Sequence, residues 1–202
     1  MIAFQCSTCR RAFNVPDHYA GKRAKCGCGQ LLIVPAENVP VTVPPAAPSI
    51  GLRGRRLASD EQQMRKLFGK ADGPIRLVEV VGTPPEQYVV EFHIASLRDA
   101  KTLLTVHRAE INLTSEYPRI GPQCRMLTPI FHPNIDAASI CIGDHWAAGE
   151  RIGDLVIRIG EMLAYQAYNI RSPLNAEAAM WADLNADKLP TDGRDLRSLI
   201  QV

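Results

Sequence analysis

The chain has 202 residues, a formal net charge of +2 and 46% hydrophobic residues. That length accommodates one ordinary domain and a small module. The apolar share and modest charge exclude an intrinsically disordered chain, and the near balance of charge makes no whole-chain electrostatic case for nucleic acid.

The opening stretch, Met1-Ile2-Ala3-Phe4-Gln5-Cys6, lacks a basic segment followed by an apolar run, so no signal peptide is expected there. No apolar stretch approaches the roughly 20 residues that span a bilayer. The expectation is a soluble, cytoplasmic protein with no membrane partner. In such a compartment thiols stay reduced, so the six cysteines point to metal binding or catalysis before disulfides.

Residues 1–35 hold Cys6-x-x-Cys9 and Cys26-x-Cys28, two ligand pairs separated by a connecting loop. Tetrahedral zinc wants four soft ligands, and two tight turns supply them while ordering little chain. A module this small buries too little surface to fold on hydrophobicity alone, so a structural Zn2+ would supply much of its folding free energy. The segment resembles short bacterial zinc ribbons, with Val15-Pro16, Ala20-Gly21-Lys22 and Val34-Pro35 in their places. His18 reads as a surface residue. Arg10, Arg11, Lys22, Arg23 and Lys25 make the module basic, but no aromatic platform is interleaved with them. A solvated or protein-docking face is therefore favoured, and nucleic acid is not an expected partner.

Residues 36–56, rich in Pro and Ala and then Gly and Arg, read as a semi-extended linker, leaving 57–202 as the larger domain. There, Ser59-Asp60-Glu61-Gln62 has the form of a capping box opening a helix that Gly69 ends. Strand patterns follow at Ile75–Val81, Tyr88–Ala95 and Val106–Leu113, with a short fourth near Cys124–Leu127. Short connections favour an antiparallel meander. After an irregular stretch from Thr128 to about Ile152, Leu155, Val156, Ile159, Met162 and Leu163 recur at helical spacing. Asn175 can cap a further helix carrying Ala178, Ala179, Trp181 and Ala182. The fold class is α+β.

The remaining cysteines differ in setting. Cys124, in strand-like sequence, reads as a buried small hydrophobe. Cys141 lies in irregular chain, where functional groups are often displayed, with the Asn134 amide near enough in sequence to donate to a developing oxyanion.

Phe131-His132-Pro133-Asn134-Ile135, then Ile140-Cys141, Trp146, and Ser172-Pro173-Leu174-Asn175 with Ala178-Ala179 appear in order after Tyr117-Pro118 and Gly121-Pro122. Over about residues 57–190 this combination resembles the ubiquitin-conjugating enzymes. The resemblance implies their UBC fold: an N-terminal helix, a four-stranded antiparallel meander and C-terminal helices. It implies that Cys141 accepts a ubiquitin-like protein from an activating enzyme as a thioester and passes it to an amine on an acceptor. It implies that Asn134 stabilises the oxyanion or orders the loop, that His132 is structural, that Pro133 fixes the turn, and that Ser172 is the gate beside the cysteine. The chain is slightly shorter than the family between Asn134 and Cys141 and again between Cys141 and Trp146, as in divergent bacterial members linked to antiphage defence. Asp144 and His145, in the short second stretch, read as solvated. A serine at position 172 cannot act as the family's carboxylate does on the attacking amine. The other readings are a catalytically weak scaffold that binds a ubiquitin-like protein and a zinc-ribbon adaptor or nucleic-acid binder. A papain-type protease is disfavoured, because His132 reads as structural and no papain-like cysteine motif is present.

Overall fold

The structure is a computed structural model that describes residues 1–37, 51–143 and 146–200. It forms two compact units, Met1–Ser49 and Ile50–Val202. Among the described residues no helix is long and apolar enough to cross a membrane. Most of the expected linker and the pair Asp144 and His145 lie outside the described residues.

The first unit is two antiparallel hairpins, β1 (Ile2–Gln5) with β2 (Ala12–Val15) and β3 (Arg23–Lys25) with β4 (Leu31–Ile33). Its core is small: Ile2, Phe4, Leu32 and Val34 pack around Cys6 and Cys26, and the Phe4 and Phe13 rings stack at 5.4 Å. Each hairpin turn carries two of the cysteines.

The second unit opens with α1 (Leu52–Phe68), which buries Leu57, Asp60, Met64 and Phe68, a stripe at helical spacing. This corrects two expectations. Ser59 lies inside the helix and does not cap it; Gly51 stands at the N-cap. Leu52–Arg56 belong to α1, not to the linker. Their apolar pattern is poor, and tertiary contacts hold them instead. The Arg53 guanidinium bonds Glu86 and the carbonyls of Leu113 and Thr114. Arg56 bonds Asp60, the Tyr117 hydroxyl and the carbonyls of Ala148 and Glu150. Gly69 does end the helix.

Strands β5 (Ile75–Gly82), β6 (Pro85–Phe92), β9 (His107–Asn112) and β10 (Gln123–Met126) form one sheet in the order β10-β9-β6-β5, every neighbour antiparallel. This is the expected meander, interrupted once by a separate hairpin of β7 (Ser96–Asp99) and β8 (Thr102–Leu104) that the sequence pattern does not announce. Val90, Phe92 and Ile94 are buried, whereas Glu91 and His93 sit on the outer face, where Glu91 bonds both His93 and Arg108. Cys124 is buried, as its strand setting suggested.

Helix α2 (Ile152–Leu163) is buried along nearly its whole length. A side chain at Gly153 would meet Leu67 Cδ1 at 2.7 Å, so glycine is what lets α2 approach α1 this closely. Helix α3 (Ala176–Leu184) follows, capped by Asn175 Oδ1, which accepts from the Ala178 N–H at 3.0 Å.

Candidate functional site

In the first unit the Sγ atoms of Cys6, Cys9, Cys26 and Cys28 all lie within 4.8 Å of one another. Cys6 and Cys28 are 3.7 Å apart and Cys9 and Cys26 3.4 Å. A tetrahedron of thiolates at zinc–sulfur bond length has edges of about 3.8 Å, so the spacing fits such an ion. The two turns are built alike. The Cys6 carbonyl accepts from Arg10 N–H and the Cys26 carbonyl from Gly29 N–H, both at 2.8 Å, with left-handed backbone at Arg10 and Gly29. The thiols share protons unequally: the backbone N–H of Cys9 lowers Cys6 to about 6, whereas Cys9, despite a bond from the Arg11 backbone, is raised to about 11 by the neighbouring Cys26 and Cys28 thiols. These four residues could hold a metal ion.

In the second unit the irregular stretch after β10 folds back on itself through bridges that pair Ile135 with both His132 and Ile140. The Ile140 N–H donates to the Cys124 carbonyl of β10 at 2.9 Å, tying the stretch to the sheet edge. One residue on, the Cys141 N–H donates to the Asn134 carbonyl, also at 2.9 Å. This bond brings Cys141 beside the His132-Pro133-Asn134 turn. Its side chain is half-buried and faces a groove of about 480 Å³ lined in part by Asn134, Arg158, Tyr168, Asn169 and Ser172.

The turn is fixed by its neighbours. His132 is fully buried, and its Nδ1 accepts from the Asn134 N–H at 3.1 Å. With Nδ1 an acceptor, the ring proton sits on Nε2. Burial holds the His132 pKa down to about 4, with the Met162 backbone pulling weakly the other way. The imidazole is therefore neutral at pH 7, with Nδ1 engaged by the turn it supports. The Tyr165 ring packs on it at 4.8 Å, and the Tyr165 hydroxyl donates to the Phe131 carbonyl. The Pro133 carbonyl accepts from the N–H groups of Leu174 and Asn175, at 2.8 and 3.0 Å, which draws the Ser172-Pro173 segment to the groove.

The Asn134 side chain is used at both ends. Its Nδ2 donates to the Asn169 carbonyl at 2.8 Å, and its Oδ1 accepts from the Asn169 N–H at 2.7 Å. The amide thus orders the chain that forms the far wall. Ser172 is exposed at that wall. The structure brings together Cys141, Asn134 and Ser172, with His132 and Pro133 beneath them. Two participants escaped the sequence reading. Asn169 is 35 residues from Asn134 and carries no local signal of its role. Arg158 did have a signal, a lone cation in the apolar run Leu155-Val156-Ile157-Arg158-Ile159.

A larger depression, of about 660 Å³, lies against β9, β10 and residues 138–140. Its cysteine, Cys124, is a poor nucleophile, because burial pushes that thiol up to about 12.

Comparison with known proteins agrees with this geometry. A family model described as ubiquitin-conjugating enzyme matches residues 88–189. Ubiquitin-conjugating enzyme E2 N of Macaca fascicularis is 31% identical over 115 residues, covering 54% of this chain and 74% of that protein. Among solved structures, one titled as a novel ubiquitin-conjugating enzyme aligns with a TM-score of 0.51 at 22% identity, over 68% of this chain and 89% of that one. S. cerevisiae Ubc12 aligns with a TM-score of 0.52 at 18% identity, over 68% and 75%. The two structural matches show the shared UBC fold. With the family model running from within β6 through the cysteine loop to α2 and α3, the chain belongs to the ubiquitin-conjugating enzyme family.

Proposed function

We propose that Cys141 carries a ubiquitin-like protein as a thioester and passes it to an amine. Family membership implies ubiquitin-like conjugation, with a modifier and an activating-type enzyme as partners. The observation that carries the finer reading is the bond from the Cys141 N–H to the Asn134 carbonyl, which holds a half-exposed thiol in the same groove as Asn134 and Ser172.

The chemistry balances with these parts. The Cys141 thiolate attacks the carbonyl carbon of the activating enzyme's thioester; a new C–S bond forms and the activating enzyme's thiolate leaves. An acceptor amine then attacks the same carbonyl, negative charge gathers on its oxygen, and collapse expels the Cys141 thiolate as the amide forms. The amine's proton goes to water, because Ser172 supplies no base at neutral pH. In the present arrangement the Asn134 N–H donor serves the Asn169 carbonyl. That bond uses one of the two N–H groups of the Asn134 amide and holds the groove wall, which leaves the second for a developing oxyanion. The serine at position 172 also favours a second reading, a modifier-binding scaffold slow in transfer.

In the N-terminal unit we assign the four cysteines to one structural zinc ion. The ribbon pattern and the short loop after Cys141 support a bacterial, cytoplasmic conjugation system, with antiphage defence as the setting.

The deciding measurement incubates the full chain with its activating enzyme, ATP and modifier. A thiol-sensitive adduct should form with the native chain and with Cys124→Ala and be absent with Cys141→Ala. Its persistence in Cys141→Ala would remove the central assignment.

A further inference from the structure

We infer that the Cys141 groove selects a modifier whose C-terminal tail is acidic or neutral, and that Arg158 is the residue that reads it. This rests on the thioester-carrier reading and names the substrate class for that site.

The groove's charge is one-sided. Among its described lining residues Arg158 is the one formal charge, and no carboxylate is present. Arg158 projects from α2, whose neighbouring residues Ile157 and Ile159 are buried, so its position is set by the core. One ion pair holds it, Nη2 to Glu150 Oε1 at 2.6 Å, and Glu150 is not among the groove-lining residues. The buried Arg158 Nε is out of reach of a ligand, but Nη1 makes no hydrogen bond among the described residues and the side chain is 33% exposed. A guanidinium carries five N–H donors and can serve two carboxylates at once. Arg158 therefore keeps donor capacity that its own chain does not use.

An extended tail bound to Cys141 has to lie in this groove. Its backbone carbonyls, or an acidic side chain, meet a donor already positioned and partly desolvated. A lysine or arginine in the same place meets like charge, which the Glu150 carboxylate paired with the guanidinium offsets only in part. The gate residue repeats the pattern, since Ser172 offers no negative charge.

The test uses short acetylated peptide thioesters of mercaptoethanesulfonate that end in glycine. A single Glu, Gln or Arg is placed in turn at each position upstream of that glycine. The Cys141 thiolate attacks the thioester carbonyl and expels mercaptoethanesulfonate, and the acylated full chain is followed by intact mass. At one position at least, the Glu peptide should acylate Cys141 about tenfold faster than the Arg peptide, the span of a partly exposed charge pair turned from attraction to repulsion. Arg158→Gln should level the two rates. Equal rates for the Glu and Arg peptides on the native chain would overturn the inference and leave the carrier reading standing. A preference that survives Arg158→Gln would overturn the role of Arg158. If none of the peptides acylated Cys141 while iodoacetamide still alkylated it, the carrier reading itself would fall.

Discussion

Asn134 and Asn169 clasp each other, side chain to backbone, through hydrogen bonds of 2.8 and 2.7 Å. Asn134 is 5% exposed while Asn169 is exposed, so only the Asn134 end of each bond is shielded from water. Removing the amide leaves both backbone groups of Asn169 without partners. Asn134→Ala should lower stability by about 1–3 kcal/mol. It should also raise amide exchange at Asn169 and slow transfer from Cys141. A variant that loses transfer by about 10²–10³ with exchange at Asn169 unchanged would mark Asn134 as an oxyanion donor instead.

His132 gives the larger unit an acid sensitivity. Its folded pKa of about 4 is below that of an unfolded histidine, about 6.5. Between those values the unfolded chain takes up a proton that the native chain refuses, so stability is full above the unfolded value and falls as pH drops toward 4. From pH 7 to pH 5 the loss should be about 2 kcal/mol, read as a falling urea midpoint. Burial also lowers the His107 pKa, which adds to the loss in the same direction. A midpoint as high at pH 5 as at pH 7 would contradict this account.

Metal removal should act on one unit only. The core of the first unit is little more than Ile2, Phe4, Leu32 and Val34 around two of the four thiols. A strong chelator should abolish amide protection in the two hairpins and leave the melting of the Ile50–Val202 unit unchanged. Elemental analysis of the native chain should give about one zinc per chain. Hairpins that stay protected after complete demetallation would show that the apolar core suffices.

The gate invites a gain of function. A carboxylate at position 172 would sit in the wall of the Cys141 groove and could take a proton from an attacking amine. Ser172→Asp should speed discharge of a loaded modifier to free lysine by about tenfold near pH 7 and less at pH 9, where more of the amine is already neutral. Single-turnover discharge rates would show it, and equal rates at both pH values would place the gate elsewhere.

Much of the fold was legible because local pattern and burial agree. Val90, Phe92 and Ile94 alternate with Glu91 and His93 in sequence and across the two faces of the sheet. Cys141 and Asn134 stood out through motif order, and one backbone hydrogen bond joins them. What escaped is held by distant contacts. The start of α1 depends on Arg53 reaching Glu86 and Arg56 reaching Tyr117, which no local window contains. The capping pattern at Ser59 was real chemistry in the wrong place, outweighed by those arginines. Asn169 was invisible for the same reason, since its part in the groove exists only after chain 35 residues away has folded against it.

Arg56 has a kinetic meaning. Apart from its local pairing with Asp60, it joins α1 to partners 61, 92 and 94 positions along the chain. Contacts that close such long loops are entropically late, so they form once the surrounding domain is largely assembled. Arg56 then acts as a latch: losing it should quicken unfolding while barely slowing folding. The lifetime of the stretch that follows Cys141 is thereby tied to the first turns of α1, through a side chain that bonds that stretch at Ala148 and Glu150.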